Sequence, residues 1–319
     1  MVLSGQPEDD PNAPPMSYPV FRAWCTYGFA GEPPQIWIAS TDQGEPVGCC
    51  TLELPERDNL LNAFCYPVVA LPSRRQGIGT ALLAHAAEQA ELAGRTLLMS
   101  NSRVSSPGSA FAEATGARPG MLDARRVLDV DANLRARLPG LRTEAHRHAG
   151  GYTLRAWSGS TPADLVDQAC ALYTALGDAP HDAAFEPMTW DPARLRAAEE
   201  RVLAQGTRWY SLAAMHDATG EMAALTQVNV DPGIPGWAFQ EITAVTREHR
   251  GHRLGLLVKA CMLEALARHE PQLRQIMTFN AAPNEHMIAV NAQLGHRVTD
   301  YFQAYELDVA VARKLAARV

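Results

Sequence analysis

Hydrophobic and polar residues follow two distinct periods along the chain, and each change of period marks a new element. Short β-branched and aromatic runs at residues 35–40 and 48–54, separated by a turn at 42–46, predict paired strands. A third such run covers 63–70. Past a glycine-containing loop, Leu83, Ala86, Ala90 and Ala93 recur at spacings of three and four, which predicts a helix that stops at Gly94. A strand at 96–100, a short helix at 109–115 closed by Gly116 and a strand at 124–130 complete this first series.

The series then repeats. Residues 131–148 carry Leu/Arg/Glu helical spacing interrupted by Pro139 and are read as a linker, and Gly150-Gly151 marks the start of a second unit. A strand at 152–157 precedes a helix that opens with Thr161-Pro162 as cap and first-turn proline and runs to Leu176. Asp191-Pro192 opens a second helix in the same way, ending near Gln205. Strands at 209–216 and 222–230 follow, then a strand at 237–245, a loop at 246–253 and a helix at 255–269. A strand at 275–280, a helix at 284–294 and a strand at 299–309 end the pattern. Both halves therefore run hairpin, apolar strand, basic glycine loop, helix, strand, short helix, glycine, strand, which signals an internal duplication. The expected division is a disordered tail at 1–20, a first domain at 21–130, a linker at 131–149 and a second domain at 150–319.

Composition supports two globular units. The 319 residues are 47% hydrophobic and 20% charged, enough for each half to bury a core. The formal net charge of -7 argues against a general nucleic-acid binder. No apolar run reaches the roughly 18 residues of a membrane span. The acidic, proline-rich start lacks the basic and apolar regions of a signal peptide, so a cytoplasmic protein is expected. The six cysteines form no C-x-x-C pair and no His/Cys cluster with zinc spacing, so reduced thiols and no metal are expected.

The candidate chemistry lies in two basic loops. The first runs from Val69 through Arg74, Arg75, Gln76, Gly77, Ile78 and Gly79 to Thr80; the second runs from Val245 through Arg250, Gly251, His252, Arg253, Leu254 and Gly255 to Leu256. In each, a valine closes a strand, an arginine follows five residues later, and a glycine five beyond that opens a helix. Glycine allows close backbone approach, helix-start N–H groups bind phosphate oxygens, and arginine adds a fixed positive charge. Together they suit a pyrophosphate. A P-loop lysine and a third dinucleotide-fingerprint glycine are both missing.

This R-x-x-G-x-G pattern after a strand resembles the coenzyme A loop of the GNAT superfamily of acyltransferases. Arg74, Gly77 and Gly79 match in full; in the second copy Arg250 and Gly255 match, and Arg253 replaces the first glycine. As a tandem of this length the chain resembles the mycothiol synthase-type architecture and the tandem GNAT proteins of actinobacteria. The resemblance implies an α/β fold with mixed α+β sheets in two tandem GNAT domains, and acetyl-CoA as cofactor. It implies that Asn280 and Asn284 bond the pantetheine arm, with strand-end and N-cap duty as the alternative. It implies that Val245, and Val69 in the first copy, present a backbone N–H to the thioester carbonyl, which is oxyanion-hole chemistry.

The tyrosine that many GNAT enzymes use as general acid is absent: Asn291 and Ala112 stand in its place. A thiolate of pKa near 8.5 needs little help to leave, and water, Tyr301 or Tyr305 remain as proton sources. Glu241 shares strand parity with Thr243 and Val245 and is the candidate base. Asp178, His181 and Asp182, in the loop that borders the acceptor in this fold, are candidate substrate contacts. The first half has too few residues before its first strand to wall an acceptor site, so catalysis is expected in the second. The expected function is N-acyl transfer to a small-molecule amine by a monomer or homodimer; a non-catalytic acyl-CoA-binding protein and catalysis in the first half are the alternatives.

Overall fold

The computed structural model describes residues 10, 12–14, 16–178 and 184–315. The first half contributes strands β1 (Gln35–Ser40), β2 (Pro46–Glu53), β3 (Asn62–Val69), β4 (Leu97–Arg103) and β5 (Arg118–Asp129). The second contributes β6 (Tyr152–Ser158), β7 (Arg208–His216), β8 (Met222–Val230), β9 (Trp237–Val245), β10 (Gln275–Ala281) and β11 (Arg297–Asp308). All join one sheet in the order β1-β2-β3-β4-β11-β5-β10-β9-β8-β7-β6. The last strand of each half has crossed into the other. β11 pairs antiparallel with β4 and β5, and β5 pairs antiparallel with β10.

A buried ion cluster sits where the strands exchange. Arg125 of β5 donates to Asp300 of β11 (Nε to Oδ2, 3.0 Å) and to Asp10 (Nη1 to Oδ2, 2.7 Å). Asp10 lies in the stretch expected to be a free tail. Helix α1 (Tyr18–Tyr27) also begins inside that stretch, with Pro19 in its first turn and Gly28 closing it at φ 56°. It packs on α6 (Pro192–Gln205) of the second half.

Helices α2 (Ile78–Leu92) and α7 (Leu254–His269) follow the two basic loops; α3 (Pro107–Ala114) and α8 (Glu285–Leu294) follow β4 and β10. The segment expected to be a linker is helix α4 (Ala132–His146), capped by Asp131 Oδ1 accepting from the Leu134 N–H at 2.7 Å, with Pro139 inside it. Leu134, Leu138 and Ala145 join the same core as α7 and one face of β7–β10, so α4 is an integral layer. On the opposite face α5 (Val166–Ala175) and α6 pack against Ala213, Leu225 and Ala244. Asp191 caps α6 as expected, but α5 starts only at Val166, after a 3-10 turn over Ala163–Leu165. Val309, read as the end of a strand, instead opens helix α9 (Val309–Lys314). Among the described residues, no helix is long and apolar enough to cross a membrane.

Candidate active site

Each half opens a wedge in the sheet beside its basic loop. β9 and β10 run parallel and pair only from Gln275↔Trp237 to Met277↔Phe239, after which they part. β3 and β4 do the same after Phe64↔Met99. The Thr246 N–H turns to Ala223 O of β8 at 2.9 Å, so by strand alternation the Val245 N–H points away from β8 and into the gap. The Ala70 N–H bonds Val47 O at 2.9 Å, which places the Val69 N–H alike.

The loops beyond these valines match in backbone and differ in residue. In the first, Arg75 (φ 63°) and Gly77 (φ 83°) are left-handed; in the second, Gly251 (φ 89°) and Arg253 (φ 55°) hold the same two places. Each copy thus has one glycine and one arginine at the two positive-φ positions, in opposite order. Arg253 accepts a conformation that costs a non-glycine residue about 1–2 kcal/mol. It also pairs with Glu144 of α4. No side chain caps the start of α2 or α7, leaving helix-start N–H groups for a ligand. The second loop is braced from below. Tyr152 Oη and His249 Nδ1 lie 2.7 Å apart, and His216, Glu221 and His249 bring their ligand-capable atoms within 4.8 Å of one another.

The halves diverge at the strand entering the wedge. β9 carries a bulge: Thr226 faces Thr243 while Val228 faces Gln240, so two residues of β9, Glu241 and Ile242, stand against Gln227. The parity expected from 241 to 245 is broken there. Val245 packs toward α7, with its Cγ2 3.7 Å from where a Cβ on Gly255 would lie, whereas Glu241 and Ile242 turn to the α5/α6 face. β3 has no such bulge: Tyr66 faces Thr51 where Glu241 and Ile242 face Gln227, and Cys65 packs on the α2 side, buried with its Sγ 3.5 Å from that of Cys50. The hydrogen bond to Cys50 and then burial hold the Cys65 thiol well above its usual range.

Glu241 opens into a cavity of about 270 Å³ on the α5/α6 face. Its wall is largely aromatic: Phe29, Tyr173, Phe185, Trp190 and Trp209. Trp190 lies against Tyr173 with ring centroids 4.7 Å apart and meets Phe29 edge-on at 6.0 Å. Burial pushes the Glu241 carboxyl up to about 7, against the opposing pull of Arg201, and Asn229 Nδ2 donates to its Oε1. The first half builds part of this wall. Phe29 follows α1, and the segment bearing Phe185 is held by Asn59, whose Nδ2 donates to Glu186 O at 2.9 Å and whose Oδ1 accepts from the Glu186 N–H at 2.7 Å.

Residues 32–114 match the acetyltransferase (GNAT) domain family. A tandem GNAT protein from the clavulanic acid biosynthesis pathway, in a structure without acetyl-CoA, is 30% identical over 97% of this chain and 93% of its own, with a TM-score of 0.79. The chain is a tandem GNAT protein. A GCN5-related N-acetyltransferase from Sphaerobacter thermophilus shares the fold at 16% identity over 97% of this chain and 90% of its own, with a TM-score of 0.68. So does a GCN5-related glucosamine N-acetyltransferase region of a fungal multi-domain β-N-acetylglucosaminidase, at 14% identity over 95% of this chain and 36% of that one, with a TM-score of 0.58. No curated protein sequence matches the chain. The duplicated halves belong to an acetyltransferase, a class that takes its acyl group from acetyl-CoA.

The tandem GNAT fold separates some of the residues that the sequence suggested belong together. Tyr301 and Tyr305 lie on β11, among the first half's elements: Tyr301 is exposed, Tyr305 pairs with Ser100 of β4, and β5 and β10 stand between them and β9. Strand exchange has taken both away from Glu241. Asn284 caps α8, accepting from the Met287 N–H at 3.2 Å, which is the structural duty foreseen for it. Asn280 stands at the open end of β10, its Oδ1 accepting from Asn291 Nδ2 at 2.7 Å. Asp178 ends a 3-10 turn after α5 beside the cavity-lining Gly177; His181 and Asp182 lie outside the described residues.

Two features escaped the sequence reading. Asn291, in the place of the family's tyrosine, accepts from Lys259 Nζ at 2.8 Å, and burial lowers the Lys259 ammonium to about 7. A lysine four residues before Leu263 and three after Leu256, on the buried stripe of α7, was a visible signal. The aromatic cavity was not visible, because its wall comes from four separated segments.

Proposed function

We propose that the second half is the catalytic one and that it moves an acetyl group from acetyl-CoA to the amine of a small molecule by direct attack. The observation that carries this reading is the meeting, at one point of β9, of an open strand gap, a bulge and an enclosed cavity whose carboxyl group titrates near neutrality. Acetyl-CoA would supply the acyl thioester. The gap, the inward Val245 N–H and the uncapped start of α7 fit such a ligand. Arg250, Gly251, His252, Arg253, Leu254, Gly255 and Leu256 would hold its pyrophosphate, and Asn280 its pantetheine arm.

Glu241 takes a proton from the ammonium of the acceptor, leaving a neutral nucleophile. The Val245 N–H then faces the oxygen on which negative charge grows. The first half keeps a matching cradle in Arg74, Arg75, Gln76, Gly77, Ile78, Gly79 and Thr80, with Val69 at its gap, but has Tyr66, facing Thr51, in the place that Glu241 holds against Gln227. It serves chiefly as the scaffold that walls the second half's cavity.

Hydrogen–deuterium exchange with and without acetyl-CoA tests the placement. Protection of residues 245–257 and 278–291 is expected. Protection confined to 69–80 and 101–112 would move the reaction to the first half and overturn this reading.

A further inference from the structure

The polar groups of the cavity wall can be paired off, and what remains unpaired describes a ligand. Tyr173 Oη donates to Gln227 Oε1, and Gln227 Nε2 donates to Ser211 Oγ at 3.0 Å. Glu199 accepts from the Thr161 N–H at 2.6 Å and from Arg196. Thr207 Oγ1 donates to Val202 O at 3.3 Å. One donor group is left over, the Arg201 guanidinium, which makes no hydrogen bond or ion pair among the described residues; its Nε, like Trp209 Nε1, is closed off from the cavity, and its terminal Nη groups are not. One acceptor is left over as well, the Glu241 carboxylate, which Asn229 holds by only one oxygen. Ser160 adds an exposed hydroxyl and Trp190 an indole N–H; the rest of the lining is aromatic or aliphatic.

A ligand that carries an anion pairs the guanidinium, and one without an anion leaves it unpaired. Arg201 stacks on Phe29, its guanidinium carbon 6.0 Å from the ring centroid, which fixes the group at the wall. A guanidinium presents paired N–H donors in the geometry of a carboxylate. Arg201 acts electrostatically on both Glu53 and Glu241, and it is the one cationic side chain among the described residues that line the cavity. Sugar-like amines are disfavoured, since each buried hydroxyl would find an apolar wall.

From this we infer that the acceptor is an apolar amino acid or a close analogue, with its amine at Glu241, its carboxylate at Arg201, and its side chain in the aromatic box. The inference rests on the second half being the transferase, and it names the substrate class of that site. The amine is the nucleophile; the carboxylate is an anchor and does not react. The product is the N-acetylated acid, formed with coenzyme A as its thiol, and the ammonium proton passes to Glu241.

The test separates binding from turnover. Phenylalanine, tyrosine and leucine are titrated by calorimetry against phenethylamine, tyramine and isopentylamine, which lack only the carboxylate, with and without saturating coenzyme A. At least one amino acid should bind about ten-fold or more tightly than its decarboxylated partner. Arg201→Gln should bring that ratio close to one, and Arg201→Lys should restore part of it. Equal binding within every pair, no binding of any of the six compounds, or a preference untouched by Arg201→Gln would each overturn the inference. N-acetylated product, followed by mass spectrometry with acetyl-CoA present, reads the transferase assignment separately. Selective, Arg201-dependent amino-acid binding without product would uphold the ligand class and overturn the catalytic reading.

Discussion

At the scale of single residues, Glu241 is a buried carboxyl that carries both the proposed chemistry and a cost in stability. Its carboxyl stands at about 7 because burial disfavours the anion, which suits the proposed role of base in neutral solution. The same shift has a thermodynamic consequence. The folded state holds the proton more tightly than the unfolded chain, whose glutamate titrates near 4.3, so stability falls as pH rises through that interval and is lowest above 7. Glu241→Gln keeps the acceptor that Asn229 uses and removes the charge. It should therefore stabilise the protein by on the order of 1–3 kcal/mol at pH 8, and hardly at all at pH 4. Thermal melts at the two pH values check this; an unchanged melting temperature at pH 8 would contradict it.

Glu241 was legible in the sequence as a carboxylate on the cofactor strand, but its orientation was not. The extra residue of the β9 bulge depends on how Gln227 of β8 pairs across the sheet, which no local alternation encodes. Tyr301 failed as a candidate for a similar reason. Its strand was foreseen, while the neighbours of that strand depend on an exchange between halves.

At the scale of elements, the duplicated loops show which part of a motif is geometric. Arg253 replaces the first glycine of the motif in the second copy, yet φ is 55° there and 83° at Gly77, the same left-handed turn. The backbone is conserved between the copies and the strain has moved. Arg253→Gly should relieve about 1 kcal/mol of left-handed strain, offset by an exposed Glu144 pair worth no more than about that. Gly77→Ala should cost about 1 kcal/mol. Denaturant unfolding of the two variants checks the pair; a large loss in Arg253→Gly would show that the Glu144 contact, not the turn, governs the loop. Strands, helices and basic loops were predicted from periodicity and turn residues because those signals are local. Helix α4 was taken for a linker because Pro139 interrupts its pattern, and packing on α7 overrides that local cost.

At the scale of the molecule, the two halves form one sheet and share one site. β5 and β11 change places, Arg125 locks them to Asp10 and Asp300, and the first half lends Phe29 and the Asn59 anchor to the second half's cavity. Ahead of its first strand the first half has a single helix, α1, where the second half has α5 and α6. What the sequence did not show was where that helix goes: α1 packs on α6, and Phe29 just beyond it lines the other half's pocket. Duplication has thus produced one walled cavity from two copies of a cradle.

The measurement that tests this account most directly is the pH profile of acetyl transfer for the native protein and for Glu241→Gln, with acetyl-CoA affinity measured in parallel. The account predicts a native rate that rises through about pH 7 as Glu241 ionises, and a variant whose kcat is lower by roughly 100-fold or more, with that rise lost and acetyl-CoA affinity unchanged. A variant that keeps the native rate and the native profile would contradict it, and would place the base, and with it the active half, elsewhere in the chain.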